Sequence, residues 1–324
     1  MTKAPTIKDV AAKSGVGIGT VSRVLNNSPQ ISEATRKKVM DAIKELNFVP
    51  NVAGKRLSQS HSNVIAVVVP VIGHPFFSNL IGELELAADA KGYSLLVASS
   101  QHRIEKEQEI LYRLAQRQAD GAIFVTHYEH QEKDFENLAI VTIDRHLGDN
   151  IPIVTSDNYE STRKGVEYLI EKGCQKIAFL GTRATQSSEV VLREKAYRDV
   201  LNEHHMEPLV INKTVGHGEE DTLIDELLEH KGFDGVFVSG CILAQLLRNR
   251  LNALNVKVPE EVQIVSYDGD FAISDFGKIT TLEQPLKPMA EKCVELLIKI
   301  INDQNDYEKI NKFSCSFVKG STTK

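Results

Sequence analysis

From Val64 onward, short apolar runs alternate with longer stretches in which apolar residues recur every three or four positions. Val64 to Pro70 is a continuous apolar run, the pattern of a strand buried on both faces. Phe77, Leu80, Ile81 and Leu84 follow at helical spacing. The same grammar predicts strands at 93–98, 122–126 and 140–143 with a helix at 105–119. A second series predicts helices at 159–172, 190–204, 219–230 and 242–255, interleaved with strands at 176–180, 209–212, 235–239 and 263–267. A late helix at 288–302 and a last strand at 313–318 complete it. Alternation of this kind implies an α/β body of parallel sheets covered by helices on both faces. Two series imply two lobes, with the chain crossing between them more than once.

Before Val64 the pattern is purely helical. Ile7, Val10 and Ala11 share one face, as do Val21, Val24 and Leu25, and Val39, Ile43 and Leu46 form the stripe of a third helix capped by Ser32. Thr6 and Asp9 have capping-box spacing, and Gly15 supplies the left-handed position that ends the first helix. Two short helices separated by Ser14-Gly15-Val16-Gly17 are the sequence form of a helix-turn-helix. Its second helix leaves Ile18, Gly19, Thr20, Ser22 and Arg23 facing outward, the set a DNA major groove would meet. A phosphate-cradling glycine loop is the rival reading. It fails because Thr20 stands where a third glycine is needed and a helix, not a strand, precedes the turn. The predicted domains are therefore an all-α head at 1–50, a hinge helix and linker at 51–63 and the body at 64–324. Within the body, lobe 1 is expected at about 64–157 and 288–318, and lobe 2 at about 158–287.

Charge sharpens this division. Residues 1–62 hold ten basic and four acidic residues, whereas the whole chain sums to −6. A small basic head on an acidic body suits attraction of nucleic-acid phosphates by the head alone. Cys174, Cys241, Cys293 and Cys315 are widely separated and form no metal-binding spacing, so they read as small buried residues in a reducing compartment. With no apolar run of membrane-spanning length and no signal-peptide core, the expected location is the cytoplasm.

In open parallel sheets ligands lie beyond the carboxyl ends of the strands. The loops there contain residues 71–77, Thr126-His127, Asp144-Arg145, 182–193, Gly240-Cys241 and 267–270. Flat rings together with Asp and Arg suit polyol recognition. Phe76 and Phe77 fit either a ring-packing wall or the core, and Arg193 and Asp268 fit either ligand contacts or a structural ion pair. No phosphate loop, nucleophile elbow, zinc-protease helix or catalytic triad is found, which argues against an enzyme. His127 and His130 could be a metal pair, but in a polar loop without further ligands they read as solvent-exposed, and no cofactor is expected.

The segments 6–11, 20–26, 50–57 and 74–77 together resemble the lactose-repressor family of bacterial transcription regulators (LacI/GalR), and the resemblance runs nearly end to end. It implies a helix-turn-helix head on a body like a type I periplasmic sugar-binding protein, acting as a homodimer on a near-palindromic operator. Carried over by position, Ile18 and Gly19 fall where bases are read, Arg23 on a base or backbone contact, and Leu57 on a leucine that wedges into the minor groove. Thr6, Thr20, Ser22, Asn26, Asn51, Lys55 and Arg56 complete the DNA-facing set. The effector set is Phe76, Phe77, Asp144, Glu189, Arg193, Asp268 and Gln284. Departures are Gly17 for a capping serine, Gly54 for the hinge alanine, Ala196 for the glycine after Arg193 and Ser266 for the glycine before Tyr267. Gly240-Cys241 replaces an Asn-Asp pair, and Glu189 replaces a neutral hydroxyl residue. The resemblance implies a repressor of a carbohydrate-utilisation operon whose effector is a small sugar or sugar phosphate. A regulator using a purine-like corepressor is the alternative.

Overall fold

The computed structural model describes residues 5–25, 28–48, 61–214, 218–269 and 277–324. Residues 1–62 and 63–324 form two compact units. In the first, α1 (Ile7–Ser14), α2 (Ile18–Leu25) and α3 (Glu33–Glu45) enclose Val10, Ala11, Val21, Val24, Val39, Ala42 and Phe48. The Asp9 carboxylate accepts from both the amide and the hydroxyl of Thr6, each at 2.7 Å, fixing the start of α1. Gly15 ends the helix at φ 68°, a left-handed conformation that costs other residues most. Lys13 and Glu45 join α1 to α3 at 2.8 Å, and Arg36 Nη2 donates to Ser28 O at 3.0 Å.

The second unit is built on two six-stranded sheets. Sheet one runs β11-β5-β4-β3-β1-β2, formed by β1 (Val64–Val69), β2 (Ser94–Ser99), β3 (Gly121–Phe124), β4 (Ile140–Ile143), β5 (Ile153–Ser156) and β11 (Ile310–Phe313), all parallel. Sheet two runs β12-β10-β9-β8-β6-β7. It comprises β6 (Ile177–Thr182), β7 (Leu209–Lys213), β8 (Gly235–Val238), β9 (Gln263–Tyr267), β10 (Thr280–Glu283) and β12 (Ser316–Val318), with β12 antiparallel to β10. Lobe 1 carries α4 (Pro75–Asp89), α5 (Ile104–Ala115) and the last helix, α10 (Leu286–Ile301). Lobe 2 carries α6 (Asn158–Glu171), α7 (Val191–Glu203), α8 (Asp221–Glu229) and α9 (Cys241–Ala253).

Lobe 1 closes where α4 meets α10: Phe77, Leu80 and Leu84 join Met289, Cys293, Val294 and Leu297 in one apolar cluster with β1 and β3. Pro75 starts α4 at a position that needs no amide donor, and the His74 ring accepts from the Phe76 amide at 3.2 Å. In lobe 2, α6 lies so close to its sheet that a Cβ on Gly165 would stand 2.8 Å from the Phe237 ring and 2.9 Å from Leu282. No helix among the described residues is long and apolar enough to cross a membrane.

The lobe boundaries differ from the sequence expectation. The strand expected at 313–318 is two strands in different lobes: β11 pairs with β5, and β12 pairs with β10. Residues 316–324 therefore belong to lobe 2, where Thr322 O also accepts from Ile264 N at 2.9 Å. α10 begins at Leu286, so lobe 1 resumes there. The chain crosses between lobes at β5 to α6, at β10 to α10 and at β11 to β12. Apolar pattern reports burial but not which sheet buries a residue, so Phe313 facing one core and Cys315 the other looked like a single strand. Cys315 is also half-buried rather than sealed, unlike Cys174, Cys241 and Cys293.

Candidate nucleic-acid interface and interlobe cleft

On the head, the apolar stripe of α2 commits Val21 and Val24 to the core, which turns the opposite face outward. Ile18 is 46% exposed despite being aliphatic, Gly19 and Arg23 are exposed, and Thr20 and Ser22 are half-buried. Thr6 is exposed but holds Asp9 with its hydroxyl. Gly17, without a capping side chain, still anchors α2 through its carbonyl, which accepts from the Thr20 and Val21 amides. Asn26, Asn51, Lys55, Arg56 and Leu57 lie outside the described residues.

In the body, the strand ends of both lobes bring polar groups together. Asp144 follows β4 at φ 59° and Asp268 follows β9 at φ 79°, a backbone region that aspartate tolerates better than most side chains. Arg193, in the first turn of α7, is 3% exposed. Its Nε donates to Asn158 Oδ1 at 2.7 Å, its Nη2 to Asp268 Oδ1 at 3.3 Å, and its guanidinium carbon lies 3.6 Å from the centre of the Tyr267 ring. Burial opposes its charge, but Asp268, Tyr267 and Asp144 outweigh that and keep it cationic. Gln284, at the β10 to α10 crossover, donates to Asp268 Oδ1 at 2.7 Å. Asp144 accepts from the Thr155 hydroxyl at 2.5 Å, and burial raises its pKa against the opposing pull of Arg193.

A second array stitches the lobes. The buried Arg145 side chain donates from Nε to Thr126 O at 2.9 Å within lobe 1, and from Nη1 to Ser187 Oγ at 2.6 Å and to Thr185 Oγ1 in lobe 2. The His146 amide donates to Ser187 O, and the Glu189 amide to Asp144 O, both at 2.9 Å. Glu189 itself pairs with His146 at 2.8 Å and Lys312 at 3.1 Å, which outweigh burial and hold its carboxyl below the ordinary range.

Asp144, Arg193, Asp268 and Gln284 are thus brought together, with Asn158, Tyr267 and Arg145 beside them. Those last three were not among the expected site residues, although Arg145 and Tyr267 directly adjoin Asp144 and Asp268 in the chain. Phe76 and Phe77 are 6% and 7% exposed and belong to the lobe 1 core. Phe77 nevertheless has its ring 6.1 Å from His127, at the end of β3. Glu189 faces His146 and Lys312 instead of the Arg193 group. His130 is not solvent-exposed, as its loop suggested: its side chain is 1% exposed, with Nε2 at 2.7 Å from the buried Glu107. Among the described residues no group of three metal-ligating side chains occurs. Cavities of 420 and 500 Å³ open beside Gln284 and beside α7, and neither is lined by Arg193 or Asp268.

Residues 6–51 match the bacterial regulatory proteins of the lacI family, and residues 166–323 match a periplasmic binding protein-like domain. The chain is 33% identical over 300 residues to the ribose operon repressor of Halalkalibacterium halodurans, covering 91% of this chain and 90% of that one. It is 33% identical to the sucrose operon repressor of Streptococcus mutans, over 92% and 93% of the two chains. A transcriptional regulator CelR–cellobiose complex aligns with TM-score 0.73 at 27% identity over 98% of this chain and 99% of that one. The lac repressor dimer bound to operator and the anti-inducer ONPF aligns with TM-score 0.85 over 99% of both chains, a likeness of fold at 24% identity. With its head and body each matched, and relatives of this identity along its length, the chain belongs to the lacI family of bacterial regulatory proteins and is a transcription regulator, not an enzyme.

Proposed function

We propose that this regulator represses a carbohydrate-utilisation operon, acting in the cytoplasm as a homodimer on a near-palindromic operator whose affinity a small sugar controls. The observation that carries the reading is the Arg193, Asp268, Gln284 and Asn158 cluster at the lobe seam, joined to a head that exposes Ile18 and Arg23. Charged and amide groups converging from several elements suit a compact, hydroxylated ligand. The names of the ribose and sucrose operon repressors point the same way.

In this reading Thr6, Ile18, Gly19, Thr20, Ser22 and Arg23 face DNA, together with Asn26, Asn51, Lys55, Arg56 and Leu57. Two heads are needed because one short helix reads few base pairs, and two-fold symmetry doubles the reading. Asp144, Arg193, Asp268 and Gln284 hold the effector. Because a ligand shifts a two-state equilibrium only by its differential affinity, the effector acts by favouring one arrangement of the lobes. Fluorescence anisotropy on operator DNA from the protein's own promoter, with ribose, sucrose, fructose, cellobiose and purine bases added in turn, tests it. A sugar that changes operator affinity supports the reading; a response to purines alone replaces it with corepression.

A further inference from the structure

We infer that lobe 1 carries a reversible latch, the Arg145–Glu129 pair, which closes on the 185–189 segment of lobe 2 with no ligand required, and that the buried Glu107 is the positioning residue that sets it. The latch works independently of what the effector is.

Its root lies wholly in lobe 1. Glu107, on α5, is fully buried. Its Oε2 accepts from the Thr126 hydroxyl at 2.6 Å and lies 2.7 Å from His130 Nε2, so one carboxylate grips the loop after β3 at two points four residues apart. The Thr126 hydroxyl also accepts from the Tyr128 amide at 2.9 Å, and the His130 ring packs edge-on against Phe124 and Phe135. That loop carries both lobe 1 acceptors of Arg145: Thr126 O at 2.9 Å and Glu129 Oε1 at 3.4 Å. Glu107 Oε1 has no hydrogen-bond partner among the described residues. A buried carboxylate with an unmet oxygen adds little to stability, so what Glu107 contributes is the geometry of the loop.

The catch lies in lobe 2. Arg145 Nη1 donates to Ser187 Oγ at 2.6 Å and to Thr185 Oγ1, and the Ser187 hydroxyl donates onward to Glu129 at 2.9 Å. Ser187 thus engages both members of the pair. The Thr185 hydroxyl first, with Ser187 and Arg145 behind it, holds the Glu129 carboxyl below its ordinary range against the effect of burial. Two backbone bonds close beside them, from the His146 amide to Ser187 O and from the Glu189 amide to Asp144 O. What lobe 2 offers this pair is neutral hydroxyls, and Arg145 keeps Glu129 and Thr126 O when the lobes part. Opening therefore returns hydroxyls to water without stranding a charge, which makes the contact releasable in a way that an ion pair split across the seam is not.

Hydrogen exchange on the full-length protein, with no effector added, reads the latch through the His146 and Glu189 amides that bond across the seam, with the amides of β3 as the reference inside lobe 1. Ser187→Ala should speed seam exchange several-fold and Arg145→Ala about tenfold, with β3 still protected. Glu107→Leu, which changes no lobe 2 group, should also speed the seam. Glu107→Gln, able to accept from Thr126, should restore most of the protection, a rescue that a mere packing role would not give. Seam amides that exchange at the wild-type rate in both Ser187→Ala and Arg145→Ala overturn the latch. Faster exchange of β3 in step with the seam in these variants shows a general softening of lobe 1 and overturns it as well. A seam freed by Ser187→Ala but unmoved by Glu107→Leu overturns the role given to Glu107.

Discussion

The guanidinium carbon of Arg193 lies over the Tyr267 ring, 3.6 Å from its centre, and the Tyr267 hydroxyl in turn meets Ser156 and Cys315, each at 3.1 Å. Ser156 and Cys315 sit at two of the three lobe crossovers, and Gln284, which binds the Asp268 partner of Arg193, sits at the third. The charged pair in the cleft is therefore wired to every segment about which the lobes can turn. Arg193→Ala strands Asp268 and should cost on the order of 3 kcal/mol of stability and tenfold or more in sugar affinity. Arg193→Lys should rescue little, because an ammonium cannot both stack and fork. Thermal denaturation and calorimetry check this; near-wild-type values for the lysine variant would show that charge alone suffices.

Removing either outward side chain of α2 should weaken the operator complex without unfolding the head, since Ile18 is 46% exposed and Arg23 is exposed. For Ile18→Ala or Arg23→Ala we expect a loss of about 1–3 kcal/mol on the specific operator. If Arg23 contacts phosphate instead, its loss should weaken all sequences alike and flatten the salt dependence by about one unit of slope. Anisotropy titrations at several salt concentrations separate these outcomes.

The Glu189 carboxylate gives the lobe seam a pH response. Its pKa is depressed in the folded protein by His146 and Lys312, so its stabilising contribution is complete above the ordinary glutamate value and fades as pH falls through the lower folded value. Glu189→Gln should lower the melting temperature at pH 7, and the gap to wild type should close as acid protonates the carboxylate. A gap that stays constant down to pH 3 contradicts this assignment.

Gly165 is a packing constraint. A methyl group there would press on Phe237 and Leu282 at under 3 Å, so Gly165→Ala should destabilise lobe 2 by about 1–3 kcal/mol despite better helix propensity. Chemical denaturation is the measurement, and an unchanged midpoint would show that α6 lifts freely from the sheet.

Much of this was legible from apolar rhythm. Val64 to Val69 and Gln263 to Tyr267 appear where continuous apolar or near-apolar runs placed them, because a strand covered on both faces has no polar side to obscure it. β5 and β10 escaped notice: Ile153–Ser156 and Thr280–Glu283 are four residues each, rich in threonine and serine, and buried by neighbours distant in sequence. Asp144, Arg193, Asp268 and Gln284 were legible as a group through family resemblance. The stacking of Arg193 on Tyr267 was not, since 74 positions separate them in the chain and no periodicity joins them. Glu189 was expected among the effector residues, and its partners His146 and Lys312 come from segments that no local pattern connects.

The crossovers also set a timetable for synthesis. Lobe 1 receives β11 and α10 only after nearly all of lobe 2 has been made, so during translation the β5 edge stays unpaired and the apolar face of α4 stays bare. An open edge beside exposed aliphatic side chains invites mispairing between nascent chains. Ribosomes stalled near codon 285 should thus release a species far more prone to aggregate than chains halted inside lobe 1's first hundred codons or past the last helix, which makes the final forty residues the step that retires this hazard.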